Sequence, residues 1–268
     1  LYEMLKQHPE VSMSSRKEPG YFMEDKIRKF PGTEEEYLGL FEDPEDKKVL
    51  GEASTRYIYS KTAAKEIRKF NPDAKIIVIL REPVSLLRSL YQHKRLYFNE
   101  ESETFEKAIE KKREEYFSKI RYEENVKRYL KTFPKENIKI ILQQDYKKNT
   151  LKTFREVCDF LSIDKNFVPK TEIGHPARTL RFRPLLKNMY KAGIKAKHLK
   201  KIFPNRISKK LESFVSKKEK IKIPQETKTK LKKQLKPEVE KVDRLLHEEG
   251  FLSKNRGLVK EWGYENIK

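Results

Sequence analysis

Arg81, Ser85, Ser89 and His93 are the residues of this chain whose types and spacing could do chemistry together. The last three recur at every fourth position, so a helix would set them on one face. Arg81 and Ser89 lie eight residues apart, across a proline, and a guanidinium converging with a hydroxyl suits a phosphate. Arginine offers a planar fork of N–H donors that matches phosphate oxygens, and a hydroxyl adds another donor. Taken singly, Arg81 could be an exposed strand-end residue and Ser89 a plain surface serine.

The element that must position them is Ala74 to Lys94, AKIIVILREPVSLLRSLYQHK. Its five apolar residues, Ile76 to Leu80, form the longest apolar run in the chain. A short β-branched run between Asp73 and Pro83 reads as a buried strand of a parallel sheet. Arg81 falls where that strand ends, and Pro83 suits the first turn of a helix. Leu86, Leu87 and Leu90 take the helix face next to the polar stripe and can pack on the sheet. The arginine and the stripe are therefore delivered to the carboxyl edge of a sheet, where open α/β folds bind ligands.

The rest of the chain supplies the sheet's other parts. Leu1, Met4 and Leu5 have helical spacing, and Val11 to Met13 reads as a short strand. Glu18 precedes a proline, which places it in an extended loop beside the sheet. Thr33 and Glu36 stand in capping-box spacing at the head of a short helix, Thr33 to Leu40. Gly51 to Tyr59 is a turn-like approach to a helix over about Thr62 to Phe70. Thr104 to Phe117 puts Phe105, Ala108 and Ile109 on one face. Tyr122, Val126, Tyr129, Leu130 and Phe133 give an amphipathic helix stopped by Pro134. Ile138 to Leu142 is a second clear strand, and Leu151, Phe154, Val157, Cys158 and Leu161 mark the helix after it, capped by Asn149 or Thr150. Strand, helix, strand, helix with crossovers of this length means an α/β protein with a parallel sheet. Beyond residue 166 the chain turns basic and mainly helical. A helix starting at Pro224 runs to Leu235, and another from Pro237 to Glu249 ends at Gly250. We expect one domain over 1–268, with an α/β core over 1–165 and a basic helical extension over 166–268.

Composition bounds the class. Charged residues make up 38% of the chain and hydrophobic ones 36%, with 11% aromatic, which suits a folded protein with a polar surface. The single cysteine excludes an internal disulfide and a cysteine-ligated zinc site, and it reads as a small buried thiol. No histidine or carboxylate cluster has metal-ligand spacing, so no metal is expected. No run approaches the roughly 20 apolar residues of a membrane span and no signal peptide is visible, so a soluble cytoplasmic protein is expected. The net charge of +21 is uneven: Arg178 to Lys233 carries 20 Lys and Arg against 3 acidic residues, a local +17. Such a segment is either a solvated lysine-rich surface or a face for an anionic acceptor, cofactor, lipid or nucleic acid.

The segment IIVILREPVSLLRSLYQHKR resembles the 3′-phosphate-binding strand and helix of sulfotransferases that use PAPS, 3′-phosphoadenosine 5′-phosphosulfate. It is most similar to the Golgi heparan-sulfate type and its bacterial relatives. LYEMLKQHPEV resembles the helix after that family's phosphosulfate loop, and KEPGYF and GEASTRY resemble its next two blocks, in order. KRYLKTFPKENIKIILQQDYKKNTLKTFREVCDFL resembles the strand and helix that follow, which brings coverage to residues 1 to about 165. The resemblance implies a P-loop-like fold and sulfuryl transfer from PAPS to a hydroxyl or amine of a glycan, glycolipid or small molecule. It implies that Arg81 and Ser89 hold the 3′-phosphate, that Glu18 is the general base, and that His93 is an auxiliary acid or base. The plainer reading of Glu18 is a surface carboxylate paired with Arg16 or Lys17, and that of His93 is a helix-surface histidine.

The chain departs from the pattern in three places. The family's lysine-bearing loop, strand-xKxGTT-helix, should stand just before Leu1, and the uncapped opening helix looks cut there. A fragment is expected, inactive or nearly so without that loop's amides and lysine. Ala53 stands where some relatives carry lysine. No clear glycine-rich 3′-nucleotide loop appears near the C-terminus, and Arg178, Arg181 and Arg183 are the candidates to take its part. Three rivals remain at this stage. A P-loop kinase would need magnesium-binding carboxylates at strand ends, and Asp145 is the one candidate. A nucleic-acid binder would use the basic segment, although only Phe203 and Phe214 interleave its lysines over residues 191–233. The third is a non-catalytic relative that binds the nucleotide or a polyanion.

Overall fold

The computed structural model describes residues 1–24, 32–97, 102, 104–170, 179–180, 216–217 and 221–267. In chain order the first elements are α1 (Tyr2–Leu5), β1 (Val11–Met13), α2 (Glu34–Leu38), β2 (Val49–Gly51) and α3 (Ala63–Phe70). Then come β3 (Ile76–Leu80), α4 (Pro83–Tyr97), α5 (Phe105–Lys111), α6 (Arg113–Phe117) and α7 (Tyr122–Leu130). They are followed by β4 (Ile138–Leu142), α8 (Gln143–Lys148), α9 (Thr150–Leu161) and the two-residue strands β5 (Thr179–Leu180) and β6 (Ser216–Lys217). The last are α10 (Gln225–Glu248) and α11 (Leu258–Glu261). The chain divides into two compact units: Leu1–Ser85 with Glu114–Glu172 and Thr229–Lys268, and Leu86–Arg113 with Ile173–Lys228.

The first unit holds the parallel strands. β1 pairs with β2 in the register Val11↔Val49 to Met13↔Gly51, and β3 pairs with β4 from Ile76↔Ile138 to Leu80↔Leu142. Side chains alternate across a strand, and the apolar residues sort accordingly into two layers. On one side Ile76, Ile138 and Ile140 pack with Ala63, Ala64 and Ile67 of α3, Tyr129 of α7, Phe133, and Tyr37 and Phe41. On the other, Ile77 and Ile141 pack with Met4, Leu5, Val11, Met13, and Phe154, Val157 and Cys158 of α9. Helices cover both faces, so the α/β parallel-sheet fold read from the sequence is the fold found. β3 is less enclosed than its composition suggests, since Ile79 stays 41% exposed while Val78 and Leu80 are buried.

Local signals set the element ends. Thr33 and Glu36 close a capping box on α2, with Glu36 N–H donating to Thr33 Oγ1 at 3.2 Å and Thr33 N–H to Glu36 Oε2 at 2.7 Å. Asn149 caps α9 by accepting Lys152 N–H at 3.0 Å. Cys158 is buried on α9, which pushes its thiol pKa up to about 11. Three expectations are revised. Gly51, the first residue of the stretch expected to be turn-like, closes a strand, β2, that begins at Val49. The charged end of the Thr104–Phe117 segment forms a separate helix, α6, because the backbone at Lys112 leaves the helical region. The two helices expected around Pro237 are one, α10, with the proline inside it. A proline there removes one backbone bond, at about 3 kcal/mol. The apolar stripe Leu231, Leu235, Val239, Val242 and Leu246 continues across the proline and is buried throughout, which holds the helix together. α10 ends at Gly250, whose φ of +66° lets Phe251 N–H reach back to Leu246 C=O at 2.8 Å.

In the second unit, Leu87 and Tyr91 of α4 are buried with Phe105, Ala108 and Ile109 of α5. The Tyr91 hydroxyl donates to Ser102 C=O at 3.0 Å and its ring meets Phe105 edge-on at 5.7 Å.

Candidate functional site

The carboxyl ends of β2 and β3 each lead into an ionisable side chain: Glu52 follows Gly51, and Arg81 follows Leu80. The loop holding Glu18 rests on the loop after β2. Glu18 N–H donates to Ala53 C=O at 3.2 Å, Gly20 N–H to Ser54 Oγ at 3.0 Å, and Phe22 N–H to the Tyr57 hydroxyl at 3.3 Å. The Glu18 carboxylate accepts from Thr55 twice, at 2.9 Å from the backbone N–H and 2.9 Å from Oγ1. Glu18 itself has φ +56°. That left-handed backbone differs from the extended conformation expected before a proline, and it costs of order 1–3 kcal/mol in a non-glycine residue. These five hydrogen bonds to the loop after β2 hold it there. Lys17, one of the plain partners considered for Glu18, is 3.9 Å from Glu3 and 5.3 Å above the Tyr2 ring instead.

Glu52 is a second carboxylate in this region and was not singled out from the sequence. Its Oε2 accepts from the Tyr37 hydroxyl at 3.1 Å, while Oε1 is buried without a hydrogen-bond partner. Burial raises its pKa, the neighbouring Tyr57, Tyr37 and Ser54 hydroxyls act in the opposite direction, and the Glu18 charge adds to the rise. A signal existed: an acidic residue at the end of a strand. It was hidden because β2 is only three residues long and ends in glycine.

Arg81 is half-buried at the end of β3. Its carbonyl accepts from the Tyr122 hydroxyl at 2.7 Å. Glu82 then caps α4: Oε1 accepts Val84 N–H at 2.9 Å and Oε2 accepts Ser85 N–H at 2.7 Å. Anions commonly bind the free amides of a helix start. Here Glu82 already occupies two of them.

Ser89 and His93 lie on α4 in the second unit, on the stripe that begins at Ser85. Ser89 is half-buried, whereas His93 is exposed, with desolvation of its ring lowering its pKa. Arg178, Arg181 and Arg183 lie outside the described residues. Asp145, the carboxylate a kinase reading would need, is engaged by Arg256, whose two terminal nitrogens reach its oxygens at 2.7 and 3.1 Å.

The family model of the sulfotransferase domain matches residues 1–249. The chain belongs to the sulfotransferase family. A solved sulfotransferase from Alicyclobacillus acidocaldarius is similar in structure, with a TM-score of 0.59 and 26% sequence identity over 72% of this chain and 84% of that one. No curated protein matches this sulfotransferase in sequence. The parallel strands with helices on both faces are the P-loop-like fold that the resemblance implied. Among the described residues, no helix of this sulfotransferase is long and apolar enough to cross a membrane. The contacts of Thr55 with Glu18, Tyr122 with Arg81 and Tyr37 with Glu52 leave no sequence signal, because the partners are distant in the chain.

Proposed function

We propose that this sulfotransferase moves a sulfuryl group from PAPS to a hydroxyl or amine of an acceptor, a glycan or glycolipid bearing negative charge. PAPS, when bound, supplies the sulfuryl group and departs as PAP, adenosine 3′,5′-bisphosphate. Arg81 and Ser89 hold its 3′-phosphate, the fork of the guanidinium providing most of the attraction. Arg181 and Arg183 add charge along the nucleotide. Glu18 takes the acceptor's proton as the acceptor oxygen or nitrogen bonds to sulfur, and His93 assists as a secondary acid or base. Positioning and charge stabilisation govern such a transfer, as they do phosphoryl transfer. The basic segment Arg178 to Lys233 draws the anionic acceptor in.

The observation that carries this reading is the Glu18 carboxylate, held at a strained φ by its own loop and oriented by two donors of Thr55. Strain fixed by surrounding bonds is typical of functional positions, and a carboxylate fixed in direction is what proton abstraction needs. The test is calorimetric titration of the full-length protein with PAP. Arg81→Ala and Ser89→Ala should each weaken binding, Arg81→Ala by about 10- to 100-fold from the loss of a charged hydrogen bond. Glu18→Gln should leave PAP affinity intact and lower kcat by about 10²–10⁴. Absence of PAP binding by the full-length protein would overturn the reading.

A further inference from the structure

We propose that Tyr264, with the Trp262–Tyr264 segment around it, is a positioning residue for the Arg81–Glu82 turn and thereby sets nucleotide affinity. The inference rests on the reading of Arg81 as a phosphate ligand. Its material is a part of the chain beyond residue 249, where the family match ends.

Two adjacent residues of the turn are each gripped by a phenol. The Tyr122 hydroxyl holds the Arg81 carbonyl at 2.7 Å, and the Tyr264 hydroxyl donates to Glu82 Oε1 at 2.8 Å. Tyr264 is fully buried, and burial beside the Glu82 carboxylate pushes its pKa far above the ordinary value, so it remains a donor at any working pH. Glu82 thus receives three donors: Val84 N–H, Ser85 N–H and Tyr264 O–H. The segment that carries Tyr264 also meets Tyr122, since the Trp262 ring stands 6.3 Å from the Tyr122 ring at 64°.

The segment that brings Tyr264 is itself fixed. Leu258 N–H donates to Asp243 Oδ1 at 2.5 Å, and Trp262 Nε1 to Gln144 Oε1 at 2.5 Å. Lys232 Nζ donates to the Trp262 and Gly263 carbonyls at 2.7 and 3.0 Å and lies 4.9 Å above the Tyr264 ring. Gly263, at φ +70°, makes the turn that points Tyr264 inward.

The electrostatic consequence follows from sequence adjacency. A carboxylate one residue from a phosphate-binding arginine either repels the phosphate or competes for the guanidinium. Three donors spread its charge and keep it on the helix start, with Tyr264 the only one contributed by a side chain. Removing that hydroxyl takes one of the two donors from Oε1, leaves each oxygen with a single backbone partner, and lets the carboxylate turn towards Arg81.

The experiment is PAP titration of full-length wild type, Tyr264→Phe, Glu82→Gln, the double variant and Val157→Ala, by calorimetry and by emission of the only tryptophan, Trp262. Val157, on α9, is fully buried in an apolar cluster that includes no residue of the turn, so it reports general destabilisation. Tyr264→Phe should weaken PAP about 10-fold, while Val157→Ala changes affinity less than 2-fold despite an equal or larger fall in Tm. In the Glu82→Gln background, with the charge gone, Tyr264→Phe should cost less than 3-fold. An affinity for Tyr264→Phe equal to wild type, or a loss no greater than that of Val157→Ala, overturns the positioning role while leaving the nucleotide reading standing. Wild type without PAP affinity overturns both.

Discussion

Replacing Glu52 by glutamine tests the electrostatics of the site directly. Glu52 is a largely buried carboxylate with one oxygen lacking a hydrogen-bond partner, and burial raises its pKa. Because the folded pKa lies above the unfolded one, the folded state binds the proton more tightly. The stabilising contribution is complete below the unfolded pKa of about 4.3 and is lost as pH rises through the folded value. Near neutral pH the wild type therefore bears the cost of a buried carboxylate with one oxygen left without a partner, of order 1–3 kcal/mol. Glutamine keeps the shape and an acceptor for Tyr37 but never ionises. Glu52→Gln should match wild type at pH 4 and exceed it at pH 7.5 by about 1–2 kcal/mol, or about 2–6 °C in Tm. Thermal melts of both proteins across that range, compared as differences so that other carboxylates cancel, measure it. A glutamine variant less stable by the same amount at every pH would refute the reasoning, since it would mean that Glu52 acts as an ionised partner throughout.

Thr55→Val removes the hydroxyl that donates to Glu18 Oε1 but keeps the backbone donor to Oε2. It should lower kcat about 5- to 30-fold with PAP affinity unchanged, read by steady-state kinetics with calorimetry, and an unaltered kcat would remove Thr55 from the site. Pro237→Ala on the exposed side of α10 should restore a backbone hydrogen bond and raise Tm by several degrees, from about 1–3 kcal/mol. A lowered Tm would show that the proline is accommodated by a bend the helix needs.

Much of the fold was legible because short-range rules govern it. The run Ile76–Leu80 with its register partner Ile138–Leu142 announced two strands through β-branched composition, and Thr33 and Asn149 announced helix starts through their capping side chains. Where such signals are weak the reading faltered. Val49–Gly51 has three residues and no alternation, and it is a strand only because Val11–Met13 lies beside it. Pro237 reads locally as a stop, and only the buried stripe on both sides of it overrides that.

The sequence by itself determined the α/β class, the strand end that presents Arg81, and the helical stripe of Ser85, Ser89 and His93, all of which depend on periodicity within a few residues. Tertiary structure decided how the chemistry is held. Thr55 orients Glu18 from 37 positions away, Tyr122 grips Arg81 from 41, and Tyr264 grips Glu82 from 182. Such contacts leave no periodic trace in a chain, because they arise only when separate elements pack and each buried polar group must find a partner.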